Sequence, residues 1–222
     1  MAPKSSSYRT SATPITMFAH LLFLAIIILL LVWLLHFREG LSFTSHNKLK
    51  LFNLHPFFMV IGFILISGEA IMAYKTVRGE RRRHKATHMI LHLIALASAI
   101  VGLYAVFKFH HDLHIPDLYS LHSWFGISAV SLFFLQWIFG FFTYWWPARS
   151  STRRADFAPW HVLLGLVIFS MAILTAITGL IEKFTFLGLR KNQEALIINF
   201  TALLLFLFGA CVAITVLLPR SY

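Results

Sequence analysis

Four histidines recur at matching places along the chain: His55, His88, His122 and His161. Each stands about one turn inside the start of an almost uncharged stretch long enough to cross a membrane. An ionisable side chain in hydrocarbon costs free energy, so it is expected to have a partner or a task. If successive stretches alternate direction, His55 and His122 enter from one face and His88 and His161 from the other. The separations agree, at 67 residues in the first pair and 73 in the second, each about one helix pair. The quartet therefore predicts two same-depth pairs, one near each face. Two neutral imidazoles facing each other across a bundle suit the axial positions of a haem iron, with the apolar macrocycle filling the core. Iron with both positions taken carries electrons and does not readily bind oxygen, so two such centres form a relay. With each pair about 5 Å inside its face, the irons are expected about 20 Å apart along the membrane normal. His92 lies one turn from His88 on the same face and competes for the iron. The shared depth of the other three favours His88 and leaves His92 a hydrogen bond in the same surroundings.

Glycines keep phase with these histidines. Gly126 and Gly165 follow His122 and His161 by four residues, and Gly62 follows His55 by seven. Gly140 and Gly179 lie 18 residues after their histidines, five turns on, at about the depth of the opposite haem. Gly102 lies 14 residues after His88. Glycine at such positions lets a flat ring approach the backbone, although membrane helices also use small residues for close packing.

Composition supplies the elements that carry these residues. Of 222 residues, 59% are hydrophobic and 12% charged, an apolar share above that of ordinary globular chains. Six stretches, 17–37, 51–74, 86–107, 118–146, 157–181 and 195–218, can each span about 30 Å of hydrocarbon as helices. The predicted fold is all-α, a six-helix transmembrane bundle with four central haem-binding helices. Residues 1–16 are expected to be a flexible N-terminus, 17–218 the membrane domain and 219–222 a short tail. Twelve cations fall on the side shared by the termini and the second and fourth loops, and seven on the other. The positive-inside bias therefore puts both termini in the cytoplasm, so the 55/122 pair is outer and the 88/161 pair cytoplasmic.

Several function classes drop out. The net charge of +11 lies mostly at membrane flanks and not in a stripe with interleaved aromatics, which excludes a nucleic-acid partner. One cysteine, Cys211, excludes an internal disulfide framework or a thiolate cluster. Zinc or di-iron sites want clustered ligands with carboxylates or thiolates, yet the spans hold only Glu69 as an acid. Glu69 is expected near the cytoplasmic haem, as a hydrogen-bond or ion-pair acceptor. His20 and His36 on the first helix read as interfacial or packing residues. No segment fits a nicotinamide-binding domain. Two other readings stay open: a b-type membrane anchor fed by a protein or quinol donor, and a proton- or metal-coupled transporter.

The segments His55-Pro56 with Gly62, Gly68-Glu69-Ala70, Tyr74-Lys75-Thr76-Val77-Arg78, His88-xxx-His92, Tyr119-Ser120-Leu121-His122-Ser123-Trp124 and Pro159-Trp160-His161 resemble the cytochrome b561 family in its plant-type branch. The likeness covers a core of about residues 52–183. It implies two haem b groups held by His55/His122 and His88/His161, with His92 nearby. It also implies ascorbate as cytoplasmic donor, monodehydroascorbate or ferric chelates as acceptor on the opposite side, and a homodimer in membrane lipid. The host membrane would be endomembrane (vacuolar) or plasma membrane.

Ascorbate is a monoanion at neutral pH, so its site wants cations beside the cytoplasmic pair. Lys85, Arg81, Arg153 and Arg154, with Tyr144, stand on that side. The pattern resembles the family's cytoplasmic site, with Arg81 standing where a lysine is usual. On the outer side the likeness carries a substrate site onto Phe109, His110 and Tyr119. Imidazole exchanges protons near neutral pH, so His110 is the expected catalytic residue there, as Lys85 is at the cytoplasmic site.

Overall fold

The computed structural model describes residues 12–147 and 149–218. Residues 1–11 and the tail expected at 219–222 lie outside the described residues. Six helices are long and apolar enough to cross a membrane: α1 (Thr13–Phe37), α2 (Lys48–Thr76), α3 (Arg81–Leu113), α4 (Leu121–Trp145), α5 (Ser151–Phe186) and α6 (Gln193–Leu217). The described residues contain no strand.

Local chemistry sets the helix ends. Asn47 and Asn192 cap α2 and α6 by accepting from the backbone N–H of Leu49 and Ala195. Ser120 and Ser123 form a reciprocal capping box, so α4 begins at Leu121 and not at 118. Pro14 starts α1 at Thr13, four residues before the expected boundary. The turns after α2 and α5 are made by Gly79 (φ 117°) and Gly188 (φ 59°), a backbone region that favours glycine. Inside α2, Pro56 removes a backbone donor, and the helix widens to π winding over Phe58–Leu65. The same winding closes α1 and α4 over Trp33–Phe37 and Phe141–Trp145.

The helices α3 and α5 run for 33 and 36 residues, well beyond a hydrocarbon core. Their polar first turns are helical where loops were expected. In consequence the histidines do not share one depth from their helix starts. His122 is the second residue of α4, whereas His161 is the eleventh of α5.

Packing follows the chain order. The central helices form a ring α2–α3–α4–α5, and α1 and α6 lie together against its α2 and α5 side. Membrane helices gain nothing by leaving apolar lipid, so close contact at small residues holds them. A Cβ on Gly62 would overlap Ser98, and one on Gly68 would overlap the Phe208 ring. Ile26, Leu30, Leu65, Met72, Leu205 and Val212 fill the seam between the ring and the flanking pair. The outward rows, such as Ile90, Leu93, Ile100 and Tyr104 on α3, are exposed, as lipid contact requires. At the end opposite the termini, buried Glu194 joins α6 to α1. It accepts from Trp33 Nε1 at 2.9 Å and from Arg38 at 2.6 Å.

Candidate functional site

Helices diagonal to each other across the ring bring the histidines together. His55 on α2 faces His122 on α4, with ring centroids 6.1 Å apart, and His88 on α3 faces His161 on α5 at 6.2 Å. Neighbouring helices set the ring orientations. His55 Nδ1–H donates to the Gly102 carbonyl of α3 at 3.1 Å, and His88 Nδ1–H to the Ala70 carbonyl of α2 at 2.9 Å. His122 Nδ1–H donates to the Thr175 carbonyl of α5 at 2.8 Å. A carbonyl only accepts, so these three bonds place the proton on Nδ1 and leave Nε2 with a free electron pair. His161 is held differently: Gln136 Nε2 on α4 donates to its carbonyl at 2.7 Å and lies 3.1 Å from its Nδ1.

This arrangement fits a bis-imidazole haem. A metal–imidazole bond of about 2 Å and a nitrogen-to-centroid distance of about 1.1 Å, counted on both sides, give about 6 Å between centroids. Each pair lines its own cavity, of about 320 Å³ around His55 and His122 and about 360 Å³ around His88 and His161. Their walls are mostly aliphatic and aromatic, with Phe63 lining the first and Phe133 the second. These two rings meet edge-on at 4.9 Å. Among the described residues no three His, Cys, Asp or Glu side chains converge as a metal site.

The glycines divide into two kinds. A Cβ on Gly179 would stand 2.6 Å from His122 Cε1, and one on Gly140 would stand 3.2 Å from His161 Cε1. Each thus makes room for the imidazole of the neighbouring helix. Gly126 and Gly165 line the cavities. By contrast, Gly62 faces Ser98 and Gly102 faces Met59, so phase with a histidine there reflects helix packing and not room for a ring.

His92 shares the second cavity, packed edge-on to His88 at 4.4 Å and to Phe133 at 5.2 Å. Its Nδ1 is buried without a hydrogen-bond partner, so the bond expected there is not made among the described residues. Glu69 lines neither cavity. It pairs with His20 of α1 at 2.9 Å, which also gives His20 a partner that the reading of it as an interfacial or packing residue omitted.

The second cavity opens toward the end that carries the termini, where Arg81, Lys85, Tyr144, Tyr74 and Lys75 line it. Lys85 Nζ donates to the Tyr144 carbonyl at 3.3 Å, and the Tyr144 hydroxyl is buried without a partner among the described residues. Arg154 is within electrostatic reach of Lys85 but does not line the cavity, and Arg153 is exposed and outside it. Tyr74 and Lys75 were not singled out as site residues. Tyr74 packs against His88 at 5.4 Å, a neighbour that no sequence spacing indicates.

At the opposite end, Phe109, His110 and Tyr119 line the first cavity with Phe52, Asp117 and Lys183. The left-handed turns at His114 (φ 55°) and Leu118 (φ 54°) fold the loop back. Asp117 thereby accepts from His110 Nδ1–H at 2.8 Å. Asp117 and Lys183 escaped sequence reasoning, because the first depends on that loop and the second reads as a flanking cation.

The eukaryotic cytochrome b561 family profile matches residues 54–187, the span that carries all four paired histidines. A transmembrane ascorbate ferrireductase of Arabidopsis thaliana is 46% identical over 93% of this chain and 88% of its own length. A probable ascorbate-specific transmembrane electron transporter of Oryza sativa is also 46% identical, over 94% and 91%. A transmembrane ascorbate-dependent reductase of Ovis aries is 38% identical over 88% of this chain and 78% of its own. With six apolar spans and this likeness over nearly its whole length, the chain is an integral multi-pass membrane protein that belongs to the eukaryotic cytochrome b561 family, in its plant-type branch.

Proposed function

We propose that this protein is a transmembrane ascorbate-dependent oxidoreductase of the ascorbate ferrireductase type. It binds two haem b groups and moves single electrons from cytoplasmic ascorbate to monodehydroascorbate or ferric chelates on the other side. The relatives' names support the ascorbate-dependent electron transfer. The observation that carries the two-haem reading is the pair of diagonal imidazole contacts, 6.1 and 6.2 Å, in separate cavities toward opposite ends.

When bound, each haem supplies a one-electron Fe(III)/Fe(II) couple. The chain's residues do the rest. The imidazoles of His55 and His122 would hold one haem and those of His88 and His161 the other, and the carbonyls of Gly102, Thr175 and Ala70 fix three of those rings. The cation excess on the terminal side supports a cytoplasmic location for the second cavity. There Lys85 and Arg81 hold the ascorbate monoanion, with Arg154 adding field from nearby and Tyr144 closing the wall. On the outer side, Phe109 and Tyr119 flank the acceptor. When monodehydroascorbate takes an electron it also takes a proton, and His110 Nε2 supplies it while Asp117 holds Nδ1–H. The protein works as a homodimer in a vacuolar or plasma membrane.

The test is haem stoichiometry by pyridine haemochrome, with a reduced-minus-oxidised spectrum using ascorbate alone. Two b haems per chain, largely reduced, are expected. One haem or none overturns the paired-histidine assignment. Two haems that ascorbate leaves oxidised would point to a protein or quinol donor.

A further inference from the structure

The cavity around His55 and His122 is lined by a cation, Lys183, that has no carboxylate within ion-pair distance among the described residues. Lys183 stands one turn beyond Gly179 on α5, and Gly179 lies against the His122 ring. Lys183 Nζ is 4.1 Å from the centre of the Phe52 ring. Phe52 in turn packs on Phe109 at 5.1 Å and beside His55 at 6.3 Å. The ammonium is therefore on the rim of the cavity, beyond the imidazole pair and in the same lining as His110 and Tyr119.

Three other cations at this end have carboxylates, and Lys50, Arg190 and Lys191, which form no ion pair among the described residues, do not line the cavity. Arg38 pairs with Glu194 at 2.6 Å, and Lys48 and Lys108 share Asp112 at 2.8 and 3.6 Å. Those acids are taken. Glu194 uses its second oxygen on Trp33, and Asp117 is engaged by His110. Glu182 lines the same cavity but forms no ion pair with Lys183 among the described residues. An ammonium has three donors and no acceptor, and one aromatic face returns only part of the hydration lost on burial. Glu194 reaches Lys183 only through its field, opposed by that of Arg38, so the ammonium has no directly bound anion among the described residues.

We propose that Lys183 is an oxyanion anchor whose Nζ holds a carboxylate or enolate oxygen at the rim of the outer cavity. Two molecules bring that chemistry there, a haem propionate and an anionic electron acceptor. The anchor presupposes the function proposed above, which supplies both. With an acceptor, the anchor divides the work with His110, one residue holding the negative oxygen and the other delivering the proton.

The experiment compares wild type, Lys183→Gln and Lys183→Arg as full-length holoprotein. Midpoint potentials of both haems are read by spectroelectrochemistry. Rates to external ferricyanide, an anion, and hexaammineruthenium(III), a cation, are read in vesicles of one orientation loaded with ascorbate. If the oxyanion is a propionate, Lys183→Gln lowers the potential of one haem and Lys183→Arg restores it. If it is the acceptor, both potentials stay in place, ferricyanide slows at least fivefold, hexaammineruthenium does not slow, and the arginine variant recovers most of the rate. Unchanged potentials with an unchanged ratio of the two rates overturn the anchor. Should Lys183→Gln lose haem, retention in Lys183→Arg supports it, and loss in both overturns it. A wild-type protein without haem, or not reduced by ascorbate, fails the functional proposal and not the anchor.

Discussion

One methyl group separates Gly179 from alanine, and the space for it is already occupied. The added carbon would stand 2.6 Å from His122 Cε1, a ring whose Nδ1–H is tied to the Thr175 carbonyl of the same helix α5. The ring cannot retreat without breaking that bond, and close-packed interiors do not absorb such an overlap freely. At Gly140 the corresponding distance to His161 is 3.2 Å, which a shift of a few tenths of an ångström relieves. Gly179→Ala is therefore expected to purify with about one haem per chain, whereas Gly140→Ala keeps both. Pyridine haemochrome quantitation distinguishes them, and a Gly179→Ala protein with full haem content and an unchanged spectrum would mean that the ring is not locked. The positions were legible, since both glycines lie five turns from a histidine of their own helix. What each glycine faces was not, because the neighbour is an imidazole from the next helix, and only the ring arrangement of helices specifies that. The same blindness hid Asp117, which reaches His110 through two left-handed residues, neither of them glycine.

At the scale of the element, adjacent helices orient and diagonal helices pair. Three of the four imidazoles are oriented by carbonyls, groups that every residue possesses and that no side-chain substitution removes. Only His161 depends on a side chain, Gln136 of α4, which reaches both its carbonyl and its Nδ1. Partners of metal-ligating histidines set ring orientation, and removing one typically costs about 10–100-fold in affinity. Gln136→Leu is accordingly expected to weaken haem retention in the His88/His161 cavity by about that factor and to leave the other cavity unaffected. Haem transfer to apomyoglobin, followed by absorbance, measures it. Equal loss rates for both haems in the variant would argue that Gln136 is only packing. Helix number and order were legible from apolar length, and so was the pairing of alternate helices, from residue spacing. Helix ends were not, because α3 and α5 overrun the bilayer in polar sequence that hydropathy assigns to loops. The pairing did not depend on those ends, because the apolar spans and their alternating direction already set His161 with His88.

For the molecule as a whole, the question is whether two cavities act in series. They lie toward opposite ends of one four-helix ring and come together at Phe63 and Phe133 in its interior, with α1 and α6 covering one side. Each cavity draws its imidazole pair from a different diagonal, so removing one ligand leaves the other pair geometrically intact. Ascorbate on the terminal side then meets only the His88/His161 cavity. With ascorbate sealed inside vesicles of one orientation, His122→Ala is expected to keep one haem that ascorbate still reduces, while an external acceptor receives no electrons. His161→Ala is expected to keep the other haem, which trapped ascorbate does not reduce and external dithionite does. Absorbance in the haem bands follows both steps. The two variants must differ in the side from which the surviving haem is reached. If either variant still passed electrons from trapped ascorbate to the external acceptor, the two cavities would not be in series. If both variants lost all haem, the cavities would be one cooperative site, and the separation by diagonals would be a feature of the backbone alone.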